Sequence, residues 1–193
     1  MTIIDMHIHL KYRSSCSNLS IDDLYNNLSR SFDAVCITDH WKLAPKKYNP
    51  FREVKMFYGA EISCKLGDIL AYGIKSLPFK KKNIDAEKVI KFIHKQGGIA
   101  VCAHPYTNRH EGFGDYVYEY KFDGIEINGA LDENFHLLAQ KAANSLDIPT
   151  IGGSDAHSIR QLNTFGTKFE KPINSLTDII EAVRNKECKA IKI

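Results

Sequence analysis

A chain of 193 residues with 44% hydrophobic and 25% charged residues has the make-up of one soluble globular domain with a single core, which excludes disorder as the expectation. A formal net charge of +3, with lysines dispersed apart from Lys80, Lys81 and Lys82, is too mild to argue for nucleic acid by itself; it permits an anionic substrate without demanding one. The five cysteines, Cys16, Cys36, Cys64, Cys102 and Cys188, are odd in number and widely spaced, with no Cys-x-x-Cys pair, so a reducing cytoplasm is the expected location. Cys36, Cys64 and Cys102 lie in or just after β-rich runs and read as small buried hydrophobes.

The N-terminal residues hold His7 and His9 inside an apolar run and lack the basic-then-apolar order of a secretory signal, so 3–7 is expected to be a strand. No stretch approaches the roughly 18 apolar residues of a membrane span. Ser20 followed by Asp23 forms a capping box that opens a helix through Leu28. Strands are expected at 34–37, 57–62 and 69–74. A helix over 85–96 places Ala86, Val89, Ile90 and Ile93 on one face and stops at Gly97-Gly98. Strands at 99–103 and 124–127 follow, then a helix marked by Leu138, Ala142 and Leu146, and a strand at 149–152. Ser175 and Asp178 cap a last helix through Val183 before a strand at 190–193.

These strand runs lack clean alternation, which suits parallel strands covered on both faces. Right-handed connections then leave an open doubly wound sheet or a barrel, and about seven or eight strand candidates favour a compact or distorted α/β barrel. No repeat or linker divides residues 1–193, so a single domain is expected.

The polar residues at the strand ends carry the chemistry. His7 and His9 end the first strand, Asp39 and His40 follow the second, Glu61 ends the third, and His104 follows the strand 99–103. Asp155 and His157 come just after the strand that runs into Gly152-Gly153. In a barrel these ends converge on the C-terminal rim, which turns a sequence distance of about 150 residues into proximity. His7 and His9, at i and i+2, share one side of an extended chain and can grip one ion; Asp155 and His157 repeat that spacing. Imidazoles mixed with carboxylates suit Zn²⁺, Mn²⁺ or Fe. A lone histidine after a strand is more often a turn or core residue, which is the reading for His94, His110 and His136.

The signatures Asp5-Met6-His7-Ile8-His9, Thr38-Asp39-His40, Gly59-Ala60-Glu61, Ala103-His104-Pro105 and Gly152-Gly153-Ser154-Asp155-Ala156-His157 resemble, in order and over nearly the whole chain, the motifs of the PHP (polymerase and histidinol phosphatase) domain. The resemblance implies a compact, distorted (β/α)7, TIM-barrel-like fold with two or three divalent ions on its C-terminal face, hydrolysing phosphoesters. It implies His7, His9, His40, Glu61, His104, Asp155 and His157 as ligands, with Glu61 bridging two ions. Two positions depart from the family pattern. Where the family has Asp or His in the loop after the first motif, Arg13-Ser14-Ser15-Cys16-Ser17 brings Cys16 nearest, either as a thiolate ligand or as an ordinary loop cysteine. Where the family often has a histidine after the bridging glutamate, Asp68 stands instead, a carboxylate ligand or a turn residue.

A metal-activated hydroxide would attack phosphorus, with Asp39 or Asp155 orienting it or relaying a proton; Asp39 equally reads as a partner that holds a ligand imidazole, and Asp5 reads so by preference. Loops leaving the strand ends supply Lys11, Lys42 and Lys65 and, better matched to phosphate, Arg13, Arg109 and Arg160. Trp41 and Tyr106 are placed to wall a pocket or stack on a base, but packing is the expected role of each. The expected substrate is a small phosphomonoester or nucleotide. A nuclease or proofreading activity on nucleic acid, amide hydrolysis, and a metal-binding domain without catalysis are the alternatives. Loops 42–52 and 107–120, the second bending at Gly112 and Gly114, are expected to cover the site.

Overall fold

Apolar and β-branched runs become strands close to where the sequence places them, in a computed structural model that describes residues 1–44, 54–79, 83–108 and 112–193. The strands are β1 (Thr2–Ile8), β2 (Ala34–Ile37), β3 (Lys55–Ser63), β4 (Asp68–Tyr72), β5 (Ile99–Cys102), β6 (Gly124–Asn128), β7 (Thr150–Gly153), β8 (Phe165–Phe169) and β9 (Cys188–Lys192). The helices are α1 (Ile21–Asn27), α2 (Ala86–Lys95), α3 (Glu133–Leu146) and α4 (Leu176–Arg184). Capping boxes start α1 at Ser20 and α4 at Ser175, each with the reciprocal aspartate bond. Asp85 caps α2, and α3 ends at Asp147 in the left-handed conformation.

Among the described residues the strands form one mixed sheet of nine, ordered β7-β6-β5-β4-β3-β2-β1-β8-β9. The pairs β1/β2, β2/β3, β5/β6 and β6/β7 are parallel, while β4 runs antiparallel to both β3 and β5. The reason lies in the connection. Only residues 64–67 join β3 to β4, and a parallel return needs a crossover of a dozen or more residues. The antiparallel direction has a functional effect, because it brings the first residue of β4, Asp68, opposite Ser63 at the end of β3.

The sheet curls until it nearly closes. At the C-terminal ends, Asp155 N–H donates to His7 O (2.8 Å) and His9 N–H donates to Ala156 O (3.0 Å), so the segment after β7 meets β1 directly. Lower down β8 intervenes, and side chains stitch the seam. The Thr167 hydroxyl accepts from Gly152 N–H (2.8 Å) and donates to Gly152 O (3.0 Å), and Thr150 Oγ1 accepts from Ala190 N–H (3.1 Å). Thr167→Val keeps the shape but leaves two buried backbone groups unpaired. About 2 kcal/mol or more of stability is expected to be lost, read as a lower denaturation midpoint at unchanged m-value; an unchanged midpoint would mean the seam carries no load.

Gly152-Gly153 makes this approach possible. A Cβ on Gly152 would lie 2.1 Å from Gly166 O, and one on Gly153 would lie 2.5 Å from His7 Cβ and 2.8 Å from His7 N.

The sequence does not signal β8, whose Phe-Gly-Thr-Lys-Phe run sets a glycine and two polar residues between phenylalanines and shows neither an apolar run nor alternation. The last strand also begins two residues earlier than expected, at Cys188. Val89, Ile90 and Ile93 of α2 and Ala139, Ala142 and Ala143 of α3 are buried in one cluster with β3 to β6; Ile179, Ala182 and Val183 of α4 belong to a second. Cys36, Cys102 and Cys188 are buried, and Cys64 is half-buried. No helix among the described residues is long and apolar enough to cross a membrane.

The described part of loop 107–120 does not cover the site as expected. Phe113 and Val117 are buried in the core cluster, Phe113 meets Tyr120 and Phe122 edge-on, and no residue of that loop lines the cavity described below. Loop 42–52 lies largely outside the described residues, as do Lys80, Lys81, Lys82, Arg109 and His110. His94 and His136 hold the fold together: His94 Nε2 lies 2.7 Å from Asp123 Oδ2, and His136 Nε2 donates to Asn128 O at 2.8 Å.

Candidate metal centre

The strand ends bring His7, His9, His40, Glu61, His104, Asp155 and His157 to one rim, together with Asp68 from the start of β4 and Cys16 from the loop after β1. A cavity of ≈ 370 Å³ opens there, lined by Cys16, His40, Glu61, Asp68, His104, Leu131, Asp155, His157 and Gln161. His7, His9, Glu61 and His104 are buried beneath it, and Cys16 is exposed at its mouth. His104 (φ 27°) and Asp155 (φ 51°) adopt left-handed backbone conformations that side chains disfavour. Such strain persists where the surroundings over-determine it. Here His104 N–H is held by Glu126 Oε2 at 2.8 Å and Asp155 N–H by His7 O at 2.8 Å.

The donor atoms converge in a manner that neutral imidazoles and carboxylates would not adopt by themselves. His7 Nε2 and His9 Nε2 face each other at 2.9 Å. Asp155 Oδ1 stands 3.4 and 3.3 Å from them, Glu61 Oε1 is 3.6 Å from His7 Nε2, and Glu61 Oε2 is 3.2 Å from His9 Nε2. Donors about 2.0–2.1 Å from a tetrahedral ion are separated by roughly 3.3 Å, which these distances match. His40 Nδ1 lies 3.2 Å from Glu61 Oε2 and His104 Nε2 lies 3.1 Å from Glu61 Oε1, so Glu61 faces imidazoles with both oxygens. Three groups of donors close enough to hold an ion result: His7, His9 and Asp155; His40, Glu61 and Asp68; and His9, Cys16, His40 and His157. The residues present therefore fit divalent ions.

Behind the donors, hydrogen bonds fix which ring nitrogen faces the rim. His7 Nδ1 is 2.7 Å from Glu126 Oε1, so the proton sits on that side and Nε2 is left for the cluster. The Ser14 hydroxyl gives its single proton to Asp39 Oδ1 (2.8 Å), so it accepts from His9 Nδ1 (3.2 Å) and from His40 N–H (3.2 Å). Asp39 also takes Leu10 N–H (2.8 Å) and Arg13 Nε (2.5 Å). His157 Nδ1 donates to Asp155 O at 2.8 Å, and Asn128 Nδ2 donates to Glu126 Oε2 (3.0 Å) and Asp155 Oδ2 (3.3 Å).

Several expectations change against this geometry. Asp39 is fully buried and absent from the cavity lining, so it supports His9 through Ser14 and does not reach a nucleophile. Arg13 is committed to Asp39 and to Leu43 O (2.6 Å). Arg160 is exposed and outside the lining, where its neighbour Gln161 takes the place. Asp5 holds no imidazole; its Oδ1 accepts from His7 N–H (3.2 Å) and Ser154 N–H (2.9 Å), and burial pushes its carboxyl up to about 7. Trp41 and Tyr106, by contrast, pack against the core cluster as expected, and the Tyr106 hydroxyl donates to Asp115 Oδ1 at 3.1 Å.

Glu126, Asn128 and Ser14 are the supporting residues that sequence reading missed. Glu126 carried a signal, a carboxylate inside the apolar run Gly-Ile-Glu-Ile-Asn, whereas Ser14 and Asn128 carried none.

Without an ion His7, His9 and His104 become the counter-charges of the carboxylates, whereas burial holds His40 and His157 below the usual imidazole range. Burial alone would lower His104, but Glu61 and then Glu126 and Asp155 outweigh it and hold it at about 9. His7 is raised in the same way, against burial, by Glu126, Asp155 and Glu61. Burial would raise Glu61 and Asp155, yet His7, with His104 and His9 beside it, holds both below the usual carboxylate range. The imidazoles' contribution is complete below the unfolded value of about 6.5 and is lost as pH rises through about 9. The carboxylates' contribution is present above about 4.3 and is lost as pH falls. Thermal melts of metal-stripped protein are therefore expected to be highest between about pH 4.5 and 6.5 and to decline toward pH 9. Divalent ions need neutral imidazoles, so adding them should abolish the alkaline decline; a flat apo profile across that range would contradict the charge pairing.

A PHP-associated family model matches residues 133–188, from α3 to the start of β9. The protein MJ1587 of Methanocaldococcus jannaschii is 29% identical over 142 residues, 65% of this chain and 81% of the relative. PsfC from Pseudomonas syringae superposes with a TM-score of 0.73 at 17% identity, covering 98% of this chain and 91% of that one. An amidohydrolase from Chromobacterium violaceum, with bound sulfate and no metal, gives a TM-score of 0.61 at 16% identity over 80% of this chain and 87% of that one. A Bifidobacterium adolescentis protein described as a metal-dependent phosphoesterase gives 0.55 at 15% identity, over 80% and 87%. The ordered histidine and carboxylate motifs and the PHP-associated match behind them meet in one fold, and in these features the chain is similar to the PHP-domain family.

Proposed function

We propose that this chain is a metal-dependent phosphoesterase that cleaves a small phosphomonoester or nucleotide, using two or three divalent ions drawn from Zn²⁺, Mn²⁺ and Fe²⁺. The observation that carries the reading is the convergence of His7, His9, Glu61 and Asp155 donors at 2.9 to 3.6 Å, with His40, His104 and Asp68 around the same glutamate. When bound, such ions supply Lewis acidity and lower the pKa of water toward neutrality.

The chain's own residues hold, orient and screen. Among the described residues the cavity lining contains no lysine or arginine, while Glu61, Asp68 and Asp155 contribute negative charge. In the ion-free protein His7, His9 and His104 offset that charge; bound ions, which need those imidazoles neutral, would supply the positive charge a phosphate meets, which ties substrate binding to metal binding. Gln161 supplies a neutral donor. Its Oε1 accepts from His157 N–H (3.2 Å) and Ser158 Oγ (2.8 Å), which turns the amide so that Nε2 is available to a phosphate oxygen. Leu131 offers an apolar wall to the leaving group. The size of the cavity and the absence of lysine and arginine from its lining among the described residues favour a small substrate over nucleic acid. The names of the Chromobacterium and Bifidobacterium proteins bracket the chemistry, an amide or a phosphoester, and the proposal takes the second.

The test is a screen of phosphomonoesters, phosphodiesters and amides on metal-stripped protein, restored separately with Mn²⁺, Zn²⁺ and Fe²⁺, beside His7→Ala and Asp155→Ala. Phosphoester turnover that returns with metal and falls by at least about 10³-fold in both variants is expected. Metal binding with turnover of amides alone would move the reaction class, and tight binding with no turnover would leave a metal-binding domain without catalysis.

A further inference from the structure

The two positions that depart from the family pattern differ in opposite chemical senses, and the structure places them in different donor groups. Cys16 joins His9, His40 and His157 in a group of three imidazoles and one thiol, whereas Asp68 joins Glu61 and His40, with His104 Nε2 3.9 Å from Asp68 Oδ2. One group is rich in nitrogen and sulfur and the other in oxygen. Soft and borderline donors favour Zn²⁺, and carboxylates favour a harder ion such as Mn²⁺.

The loop that presents Cys16 is built tightly. Ser14 N–H donates to Leu10 O (2.9 Å), Ser17 N–H to Ser14 O (3.2 Å), Lys11 N–H to Leu19 O (2.7 Å) and Asn18 N–H to His157 O (2.9 Å). The Ser17 hydroxyl donates to His9 O at 2.8 Å, and the Ser14 hydroxyl donates to Asp39. These bonds anchor both ends of the turn to the backbone of the ligand histidines, so the thiol is delivered to the cavity mouth by structure. Cys16 is the exposed cysteine and it lines the cavity, whereas Cys36, Cys102 and Cys188 are buried and Cys64 Sγ bonds to Gly67 O.

We propose that Cys16 and Asp68 polarise the cavity so that it holds two unlike ions, Zn²⁺ at Cys16, His40 and His157 and Mn²⁺ at Glu61, Asp68 and His104. His9, whose Nδ1 is engaged by Ser14, faces both the Cys16 group and the His7–Asp155 group with its other nitrogen. The inference rests on the metal-dependent reading above and adds to it which ion goes where. Because Zn²⁺ outcompetes Mn²⁺ for most N/O/S sites, the difference is visible only when ions are supplied one equivalent at a time.

The test uses metal-stripped full-length protein and reads spectra, not turnover. One equivalent of Co²⁺, a stand-in for Zn²⁺, is expected to give a thiolate-to-cobalt charge-transfer band in the near ultraviolet, which Zn²⁺ removes and Cys16→Ser lacks. Mn²⁺ binding, followed by the loss of the free-ion paramagnetic resonance signal, is expected to weaken by at least roughly tenfold in Asp68→Ala and to persist in Cys16→Ser. The cobalt band should in turn persist in Asp68→Ala. Cobalt that binds without the band, or a band that survives Cys16→Ser, would overturn the assignment while leaving the metal-dependent reading intact. Failure of the wild type to bind any of these ions would overturn that reading itself.

Discussion

Gly153→Ala is expected to lower thermal stability and metal affinity together, although the added methyl group bears no charge and its nearest neighbours, His7 and Glu126, do not line the cavity. Its Cβ would lie 2.8 Å from His7 N, 2.5 Å from His7 Cβ and 3.0 Å from Glu126 Oε1. The first two neighbours are backbone and Cβ atoms of β1, which cannot swing away as a side-chain tip can. Either β7 retreats from β1, breaking the bonds from Asp155 N–H to His7 O and from His9 N–H to Ala156 O, or His7 turns out of line. Overpacking of this kind costs about 1–3 kcal/mol, which for a domain of this size is roughly 2–12 °C in melting temperature. A displacement approaching 1 Å at a ligand costs on the order of 100-fold in activity. Calorimetry of apo protein and isothermal titration with Zn²⁺ read the two effects separately. Wild-type values in both would mean that β1 and β7 have more room than the structure gives them.

The second large effect is expected at Glu126, which stands outside the cavity lining. Its two oxygens take three donors, His7 Nδ1 at 2.7 Å, His104 N–H at 2.8 Å and Asn128 Nδ2 at 3.0 Å, in a residue only 1% exposed. Glu126→Ala strands all three in the interior. At about 1–3 kcal/mol for each unsatisfied buried group, the loss approaches much of the roughly 5–15 kcal/mol that keeps a domain folded. Glu126→Gln is the informative variant. It keeps the volume and one acceptor but removes the charge that makes His7 a stronger donor to metal, so folding should survive while metal affinity falls roughly 10–100-fold. If Glu126→Gln titrates like wild type, the carboxylate is a structural peg and nothing more.

What the sequence conveyed follows from the range of the interactions involved. Helix starts were legible because Ser20 with Asp23 and Ser175 with Asp178 complete their bonds within four residues. The convergence of His7, His9, His40, Glu61, His104, Asp155 and His157 was legible because each follows or ends a recognisable strand, and the ends of strands in a curled sheet converge. Strand direction was less so: β4 reverses because four residues cannot carry a crossover, a fact about the connection and not about β4 itself. β8 escaped notice because its stability comes from partners on both sides, β1 and β9, and its own Gly-Thr-Lys centre says little. Arg13 escaped correct reading for a similar reason. A guanidinium near a predicted phosphate site is a plausible anion ligand in sequence, and only the fold reveals the buried Asp39 beneath it. Ser14 and Asn128 are ordinary loop and strand residues until the hydroxyl and amide are seen behind His9 and beside Asp155.

The junction of β1 with the segment after β7 also bears on the order in which the molecule matures. His7 and Asp155 share one donor group although almost the whole chain separates them, so that group does not exist on a growing polypeptide until synthesis has passed residue 157. The group of His40, Glu61 and Asp68, by contrast, is complete within a short stretch of the first half. A nascent chain released in stages would therefore acquire its capacity for ions in two instalments, an early partial one and a late one that arrives with closure of the barrel. On the metal-dependent reading, the group around His7 is then the last to become able to take up an ion, once the segment after β7 has met β1.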